Sequence, residues 1–137
     1  MIPEYSLLVL AKGLLGDSIP MAVSATSFVK DGDIVCDDFL VIETPGHTLG
    51  HISFYYQPKR VLFAGDSLAV INNRVRFMSR PVTYDLELAR SSMVGSLSFP
   101  INILCPGHRF PLTISVSERC QDMLSYLQSD GKWPLLG

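Results

Sequence analysis

Three short segments of the sequence place a side chain that can bind metal directly after a glycine, at the end of an apolar stretch. They are VIETPGH, which ends at His47, VLFAGD, which ends at Asp66, and ILCPGH, which ends at His108. Glycine lets the backbone bend and approach a ligand closely, without the clash of a Cβ atom. Imidazole and carboxylate together suit zinc, iron or manganese. Composition and spacing alone leave two interpretations open, a metal site and three unrelated turns.

A fourth candidate, His51, stands four residues after His47, which is the spacing of two ligands on one helix face. Pro45, Gly46 and Gly50 interrupt this stretch, and residues with β preference follow it. The stretch is therefore interpreted as strand, loop and strand, with His51 at the start of the second strand. We expect His51 to make a supporting or structural hydrogen bond and not to share an ion with His47.

The elements that must position these side chains are predicted from the hydrophobic pattern. Residues 3–15 carry an apolar stripe at helical spacing, with Pro3 suited to the first turn and Gly16 to the stop. Short β-type segments follow over residues 24–65, namely SATSFVK, IVCDDFLVIET, HISFYYQ and RVLFAGD. Strand ends in a layered α/β domain gather at one edge of the sheet, where ligand sites are usually built.

The second half of the chain predicts helix, strand and helix. The segment LAVINNRVRFMSRPV is interpreted as a long connection without clear periodicity, and TYDLELARSSMVGSLSF as a helix with Thr83 as candidate N-cap. PINILCPGH predicts a short strand. SVSERCQDMLSYLQSDG predicts an amphipathic helix that Ser115 or Ser117 caps and Gly131 ends. The predicted fold is a single α/β (α+β) domain over residues 1–137, a mixed or mostly antiparallel sheet with helices on one face.

Composition narrows the class of protein. The chain has 137 residues, is 47% hydrophobic and 18% charged, and carries a net charge of −2. These values predict a globular domain and argue against nucleic acid or an anionic membrane as partner. The run YSLLVLAKGLLG is too short to span a bilayer and does not resemble a signal peptide.

The cysteines bear on the compartment. Cys36, Cys105 and Cys120 show no CxxC spacing, and their odd number favours free, buried thiols in a reducing compartment. The expected localisation is therefore cytoplasmic, and Cys105 is expected to act as a small hydrophobic residue on its strand.

The segments TPGHTLGHISFYY, VLFAGDSL and ARSSMVGSLSFPINILCPGH, in this order, resemble the C-terminal half of the metallo-β-lactamase superfamily. The resemblance covers residues 22–125 and implies half of an αββα sandwich and a metal-dependent hydrolase. It implies that His47 ligates a first metal ion, that His108 ligates a second, and that Asp66 bridges both. His51 matches a family position that is not a direct ligand.

The sequence departs from the family pattern in several places. The family carries an HxHxDH motif upstream, whereas this chain has three histidines and none precedes His47. Leu49 stands where many members have proline, and Arg109 where many have glycine. Arg109 and Phe110 are expected beside the site and would narrow it. Each ion would have one private ligand and the bridge, although three ligands also suit a single two-His, one-carboxylate site.

Three functions compete at this point. The first is a metal-dependent hydrolase of a small-molecule ester, thioester, lactone, amide or phosphoester, incomplete and weakly active without HxHxDH. The second is a non-catalytic module whose uncovered apolar sheet face is completed by a homodimer or by a missing N-terminal half. The third is a serine hydrolase, because GDSL includes Ser67, but Cys105 stands where that family has the Asp of DxxH.

Overall fold

The computed structural model describes residues 27–129 and Trp133, so the helix predicted over residues 3–15 lies outside the described residues. The described part contains seven strands and two α-helices. They are β1 (Ile34–Val35), β2 (Phe39–Glu43), β3 (Ile52–Tyr56), β4 (Val61–Gly65), β5 (Ala69–Ile71), β6 (Arg74–Arg76), α1 (Leu86–Leu97), β7 (Ile103–Pro106) and α2 (Val116–Gln128).

Five of these strands form one mixed sheet in the order β1-β2-β3-β4-β7. The first four are antiparallel neighbours in chain order, whereas β7 pairs with β4 in parallel. A parallel pair needs a crossover connection, because its second strand must start at the same end as the first. The segment that includes β5, β6 and α1 makes that crossover. The carboxyl ends of β4 and β7 therefore lie at the same edge of the sheet.

The strand register separates the two faces of the sheet. Leu40, Tyr55, Leu62 and Leu104 are successive partners across four strands and belong to the main hydrophobic core or pack against it. The helices complete this core with their buried residues, which include Met93 and Leu97 of α1 and Cys120, Leu124 and Leu127 of α2. Both helices thus cover the same face, which confirms the predicted fold class.

The opposite face of the sheet is aromatic and partly exposed. Phe39 lies 4.9 Å from Tyr56 and 6.1 Å from Phe63 between ring centroids. Phe63 is 41% exposed, although Val41 in the same row is fully buried. This face has no counterpart of α1 or α2 among the described residues.

Two strand predictions need correction. Residues 27–30 of SATSFVK form no strand, and residues 24–26 lie outside the described part. The segment IVCDDFLVIET is not one strand but two, because Cys36 and Asp37 adopt φ values of 48° and 66°. This left-handed backbone turns the chain, and the amide of Asp38 donates to the carbonyl of Cys36 at 2.8 Å.

The long connection after Asp66 also contains more structure than predicted. Strands β5 and β6 form an antiparallel hairpin in which Val70 pairs with Val75. The two residues between the strands, Asn72 and Asn73, have φ values of 49° and 56°. Positive φ at both positions is the requirement of a tight hairpin turn, and asparagine tolerates it well. The pair Asn-Asn was the signal that the sequence offered.

The helices start and end near the predicted points, but their caps differ. The N-cap of α1 is Asp85, whose carboxylate accepts a hydrogen bond from the amide of Leu88 at 3.0 Å. Thr83 instead donates to the carbonyl of Ser79, so the prediction of Thr83 as N-cap is wrong. Ser115 occupies the N-cap position of α2 without a side-chain capping bond, and Gly131 lies outside the described residues.

Neither described helix is long and apolar enough to cross a membrane. The three cysteines are free, but only Cys120 is fully buried. Burial raises the pKa of Cys120 to about 11 and also raises that of the half-buried Cys105. Cys36 lies exposed in the turn between β1 and β2, so the expectation of three buried thiols is wrong there.

Candidate metal centre

The structure brings His47, Asp66 and His108 together beyond the ends of β2, β4 and β7. His47 Nε2 lies 3.8 Å from Asp66 Oδ2, and His108 Nε2 lies 3.3 Å from Asp66 Oδ1. Each carboxylate oxygen therefore faces a different imidazole. The three strand ends that the sequence singled out do converge at one edge of the sheet.

The centre becomes more exposed from His47 to His108. The exposed fractions of the side chains are 19% for His47, 30% for Asp66 and 73% for His108. Asp66 Oδ1 and His47 Nδ1 are buried atoms without a hydrogen-bond partner among the described residues. The 3.3 Å approach of His108 to Asp66 Oδ1 thus lacks hydrogen-bond geometry. An unsatisfied buried carboxylate oxygen is costly, and a cation between it and the imidazole would satisfy it.

The arrangement suits a bridging carboxylate better than a three-ligand cage. Among residues 27–129 and 133, no three His, Cys, Asp or Glu side chains are placed to hold one ion. The single-ion alternative, two histidines and one carboxylate, therefore gains no geometric support. The residues would fit one side of a two-ion centre, in which His47 and His108 would each hold one ion and Asp66 could contribute to both.

The loop that carries His47 is packed tightly against α1. Gly46 has φ of 139°, and a Cβ atom there would lie 2.3 Å from the Cα of Ala89. The amide of Asp85 donates to the carbonyl of Gly46 at 3.0 Å, and the hydroxyl of Ser92 donates to the carbonyl of the preceding proline at 2.6 Å. Only glycine fits this position, and the loop is fixed over two turns of the helix.

The other two loops pack against each other. The amide of Gly107 donates to the carbonyl of Gly65 at 2.7 Å. A Cβ atom on Gly107 would lie 2.4 Å from Asp66 Oδ1, and one on Gly65 would lie 2.7 Å from His51 Nε2. The glycines before Asp66 and His108 are therefore required by contacts within the centre, and the glycine before His47 by its contact with α1. These contacts explain the repeated pattern in the sequence.

His51 lies under the centre and contacts the backbone of Asp66. The Asp66 amide donates to His51 Nε2 at 3.0 Å, and His51 Nδ1 lies 2.8 Å from Thr44 Oγ1. Burial lowers the pKa of His51 and the charge of nearby His47 adds to this effect, while the charge of Asp66 opposes it. Since hydrogen bonds occupy both ring nitrogens, His51 has no lone pair free for an ion.

The two residues predicted to narrow the centre stand at its open end. Arg109 follows His108 with φ of 70°, and its side chain is exposed. Phe110 is 85% exposed. Because both side chains are exposed, a role in narrowing the site stays a prediction.

A cavity of about 820 Å³ lies elsewhere, between the β5–β6 hairpin and α2. Its walls include Val75, Phe77, Arg119 and Met123, and none of the candidate ligands. We place the functional site at the strand ends nevertheless, because the groups that can do chemistry converge there.

The serine hydrolase alternative finds no support at Ser67. This residue is only 4% exposed, and its hydroxyl donates to the carbonyl of Ala64 at 2.8 Å. A nucleophilic serine needs an accessible hydroxyl within hydrogen-bond reach of a base.

Comparison with known proteins agrees with the fold. The sequence model of the Metallo-beta-lactamase superfamily matches residues 14–108, more than half of the chain, so the chain belongs to this superfamily. It is 27% identical over 121 residues to a hydroxyacylglutathione hydrolase of Fuscovulum blasticum, with 78% of this chain and 46% of the relative covered. It is 30% identical over 108 residues to the probable metallo-hydrolase YflN of Bacillus subtilis (strain 168), with 70% and 41% covered.

A solved structure shows the same likeness. TTHA1623 in a di-iron-bound form matches with a TM-score of 0.60 and 27% identity, over 83% of this chain and 55% of that one. The chain thus spans less than half the length of the two relatives above. The superfamily binds metal ions and its relatives are hydrolases, which confirms the general class predicted from the sequence.

Proposed function

We propose that this chain supplies one side of the metal centre of a metallo-β-lactamase-type hydrolase. In this proposal His47 and His108 each bind one ion and Asp66 bridges the two. The observation that carries it is that the two oxygens of Asp66 face different imidazoles, at 3.8 Å and 3.3 Å. Zinc, iron or manganese suits this set of nitrogen and oxygen ligands.

The proposed reaction is hydrolysis of an ester, thioester, lactone, amide or phosphoester. Bound metal lowers the pKa of a coordinated water toward neutrality and polarises the bond under attack. A thioester is the first substrate to test, because a hydroxyacylglutathione hydrolase is among the relatives. The fixed His47 loop and the part-buried Asp66 carboxylate would hold their share of the centre in place before substrate arrives.

We further propose that the isolated chain binds metal weakly and hydrolyses little. Its 137 residues contain no HxHxDH motif and no histidine other than His47, His51 and His108. Each ion would then have one private protein ligand, and water would fill its remaining positions. Metal affinity follows the number and geometry of the ligands, so such sites are weak.

Elemental analysis after dialysis against trace zinc tests this proposal. Wild type should retain less than one zinc per chain, and Asp66→Ala and His108→Ala should retain none. Asp122→Ala, which removes an exposed carboxylate from α2, is the matched control and should equal wild type. If wild type retained stoichiometric zinc and hydrolysed a thioester, and both properties were lost in the two site variants, the proposal of weak metal binding and little hydrolysis would be overturned. Equal zinc in all four proteins would overturn the assignment of the ligands.

A second function, that of an associating module, is favoured by the partly exposed aromatic sheet face. We propose that the isolated chain covers this face with a second copy of itself. Leaving apolar surface in water costs roughly 25 cal/mol per Å², and Phe63 on this face is 41% exposed. Light scattering should report a dimer for wild type and for Phe110→Glu, and a monomer for Phe63→Glu. A well-folded wild-type monomer contradicts this proposal.

A further inference from the structure

A continuous chain of hydrogen bonds runs beneath the candidate metal centre. It leads from the Asp66 amide to His51 Nε2 at 3.0 Å, and from His51 Nδ1 to Thr44 Oγ1 at 2.8 Å. It continues from Thr44 Oγ1 to Ser53 Oγ at 2.8 Å and ends at the carbonyl of Ala64 at 3.2 Å. Three strand ends, those of β2, β3 and β4, are thereby linked by side chains.

The donor and acceptor of every hydrogen bond in this series follow from the two groups at its ends. The amide of Asp66 can only donate, so His51 Nε2 accepts and carries no proton. A neutral imidazole then has its proton on Nδ1, which donates to Thr44. The carbonyl of Ala64 can only accept, so Ser53 donates to it, and Thr44 in turn donates to Ser53. One arrangement of protons satisfies all five groups.

Burial makes this arrangement hard to change. Thr44 is 1% exposed and Ser53 is fully buried. Reversing one bond would leave a buried donor or acceptor unsatisfied, which is costly. The two ends of the chain, Ala64 and Asp66, flank Gly65, whose φ is 53°. These hydrogen bonds thus hold the end of β4 on both sides of its left-handed turn.

We propose that His51 is a positioning residue for Asp66. Its Nδ1-protonated ring, oriented by Thr44 and Ser53, holds the Asp66 amide and thereby keeps the Asp66 carboxylate between the two flanking imidazoles. The metal-binding role of that carboxylate rests on the proposed function, whereas its positioning by His51 is a property of the metal-free protein. The inference can therefore be tested without metal or substrate.

The first measurement is nuclear magnetic resonance of the ¹⁵N-labelled, metal-free chain. We expect a proton on Nδ1 and none on Nε2 of His51 near neutral pH. We also expect a scalar coupling across the hydrogen bond between the Asp66 amide nitrogen and His51 Nε2. A ring protonated at Nε2, or a well-folded chain without this coupling, overturns the proposal.

The second measurement is the χ1 rotamer of Asp66, obtained from three-bond couplings in four variants. His51→Ala removes the acceptor, so the single rotamer of wild type should become a mixture. His51→Gln can still accept from the Asp66 amide and should restore the single rotamer. Thr44→Val leaves the ring in place without its orienting partner and should show a partial loss.

Tyr55→Phe is the matched control. Tyr55 lies on the same strand as Ser53, and its hydroxyl donates a part-buried hydrogen bond to the carbonyl of Pro100, away from the centre. It should leave the Asp66 rotamer unchanged. If His51→Ala does not fold, the contrast between His51→Gln and Thr44→Val carries the test. An unchanged rotamer in every folded variant would falsify the positioning role. Failure of zinc binding with the rotamer result intact would count against the proposed function alone.

Discussion

The same tripeptide, Pro-Gly-His, occurs twice at the candidate centre and has two different environments. Residues 45–47 lie against α1, and the His47 side chain is 19% exposed. Residues 106–108 begin at the last residue of the edge strand β7, and the His108 side chain is 73% exposed. The same tripeptide thus places one candidate ligand in a packed environment and the other in an exposed one.

The difference comes from what each glycine touches. Gly46 has φ of 139° and meets the backbone of Ala89, so the surrounding helix fixes it. A Cβ atom on Gly107 would come closest to Asp66 Oδ1, which belongs to a side chain, and next to the backbone of Gly65. The amide of Gly107 also donates a hydrogen bond to Gly65. We infer that the fold fixes the His47 side of the centre more firmly than the His108 side.

The largest expected effect is that of Gly46→Ala. The new Cβ would lie 2.3 Å from the Cα of Ala89, in a backbone conformation that L residues avoid. Strain and overpacking together should lower the free energy of unfolding by about 3 kcal/mol or more. Urea denaturation measures the change. Gly50→Ala is the control, because nothing lies within 4 Å of its added Cβ, and equal losses in both variants would contradict the account.

Gly107→Ala should have a smaller effect on stability, about 1–2 kcal/mol. The closest contact of its Cβ is the Asp66 carboxylate at 2.4 Å, which can rotate away, although Gly65 C at 3.0 Å resists. Rotation of the carboxylate removes the bridge between the two imidazoles. Zinc retention should therefore fall in Gly107→Ala by more than the loss of stability explains, and normal zinc retention would count against the bridge.

Ser92→Ala probes the link between α1 and the first Pro-Gly-His loop. It removes one part-buried hydrogen bond to the carbonyl of Pro45 and should cost about 1 kcal/mol in the free energy of unfolding. Ser98→Ala removes an exposed hydrogen bond to Val94 at the end of the same helix and is the matched control. Its expected cost is below about 0.5 kcal/mol. Indistinguishable values would mean that the loop does not depend on this contact.

The convergence of the three candidate ligands was predictable because it follows from local rules. An apolar strand followed by glycine and a polar side chain places that side chain at a sheet edge, and His47, Asp66 and His108 obey this rule. The mixed sheet and the two described helices followed from the same patterning. Sequence reasoning was weaker where two local signals compete, as with Thr83 and Asp85 for the N-cap of α1.

Contacts between distant residues were beyond the sequence. Nothing local indicates that Gly46 meets Ala89, or that Thr44 reaches Ser53 across the strand pair. The tautomer of His51 depends on Thr44, on Ser53 and on the amide of Asp66, which lies 15 positions away. Such networks depend on the strand register. Hydrophobic alternation limits the possible registers but does not determine which residues pair.

The smallest expected effect on stability is that of His108→Ala. Its imidazole is mostly solvated, and its contact with Asp66 at 3.3 Å lacks hydrogen-bond geometry, so removal should change the free energy of unfolding by less than about 0.5 kcal/mol. His47→Ala, at the packed end, should cost about 1 kcal/mol because it leaves a small cavity. Both should lose zinc. Thermal and urea unfolding of the metal-free variants, beside zinc retention, separate the two properties. A His108→Ala chain that is markedly destabilised without metal would show that the exposed end is held by the fold as firmly as the other, and the contrast between the two tripeptides would fail.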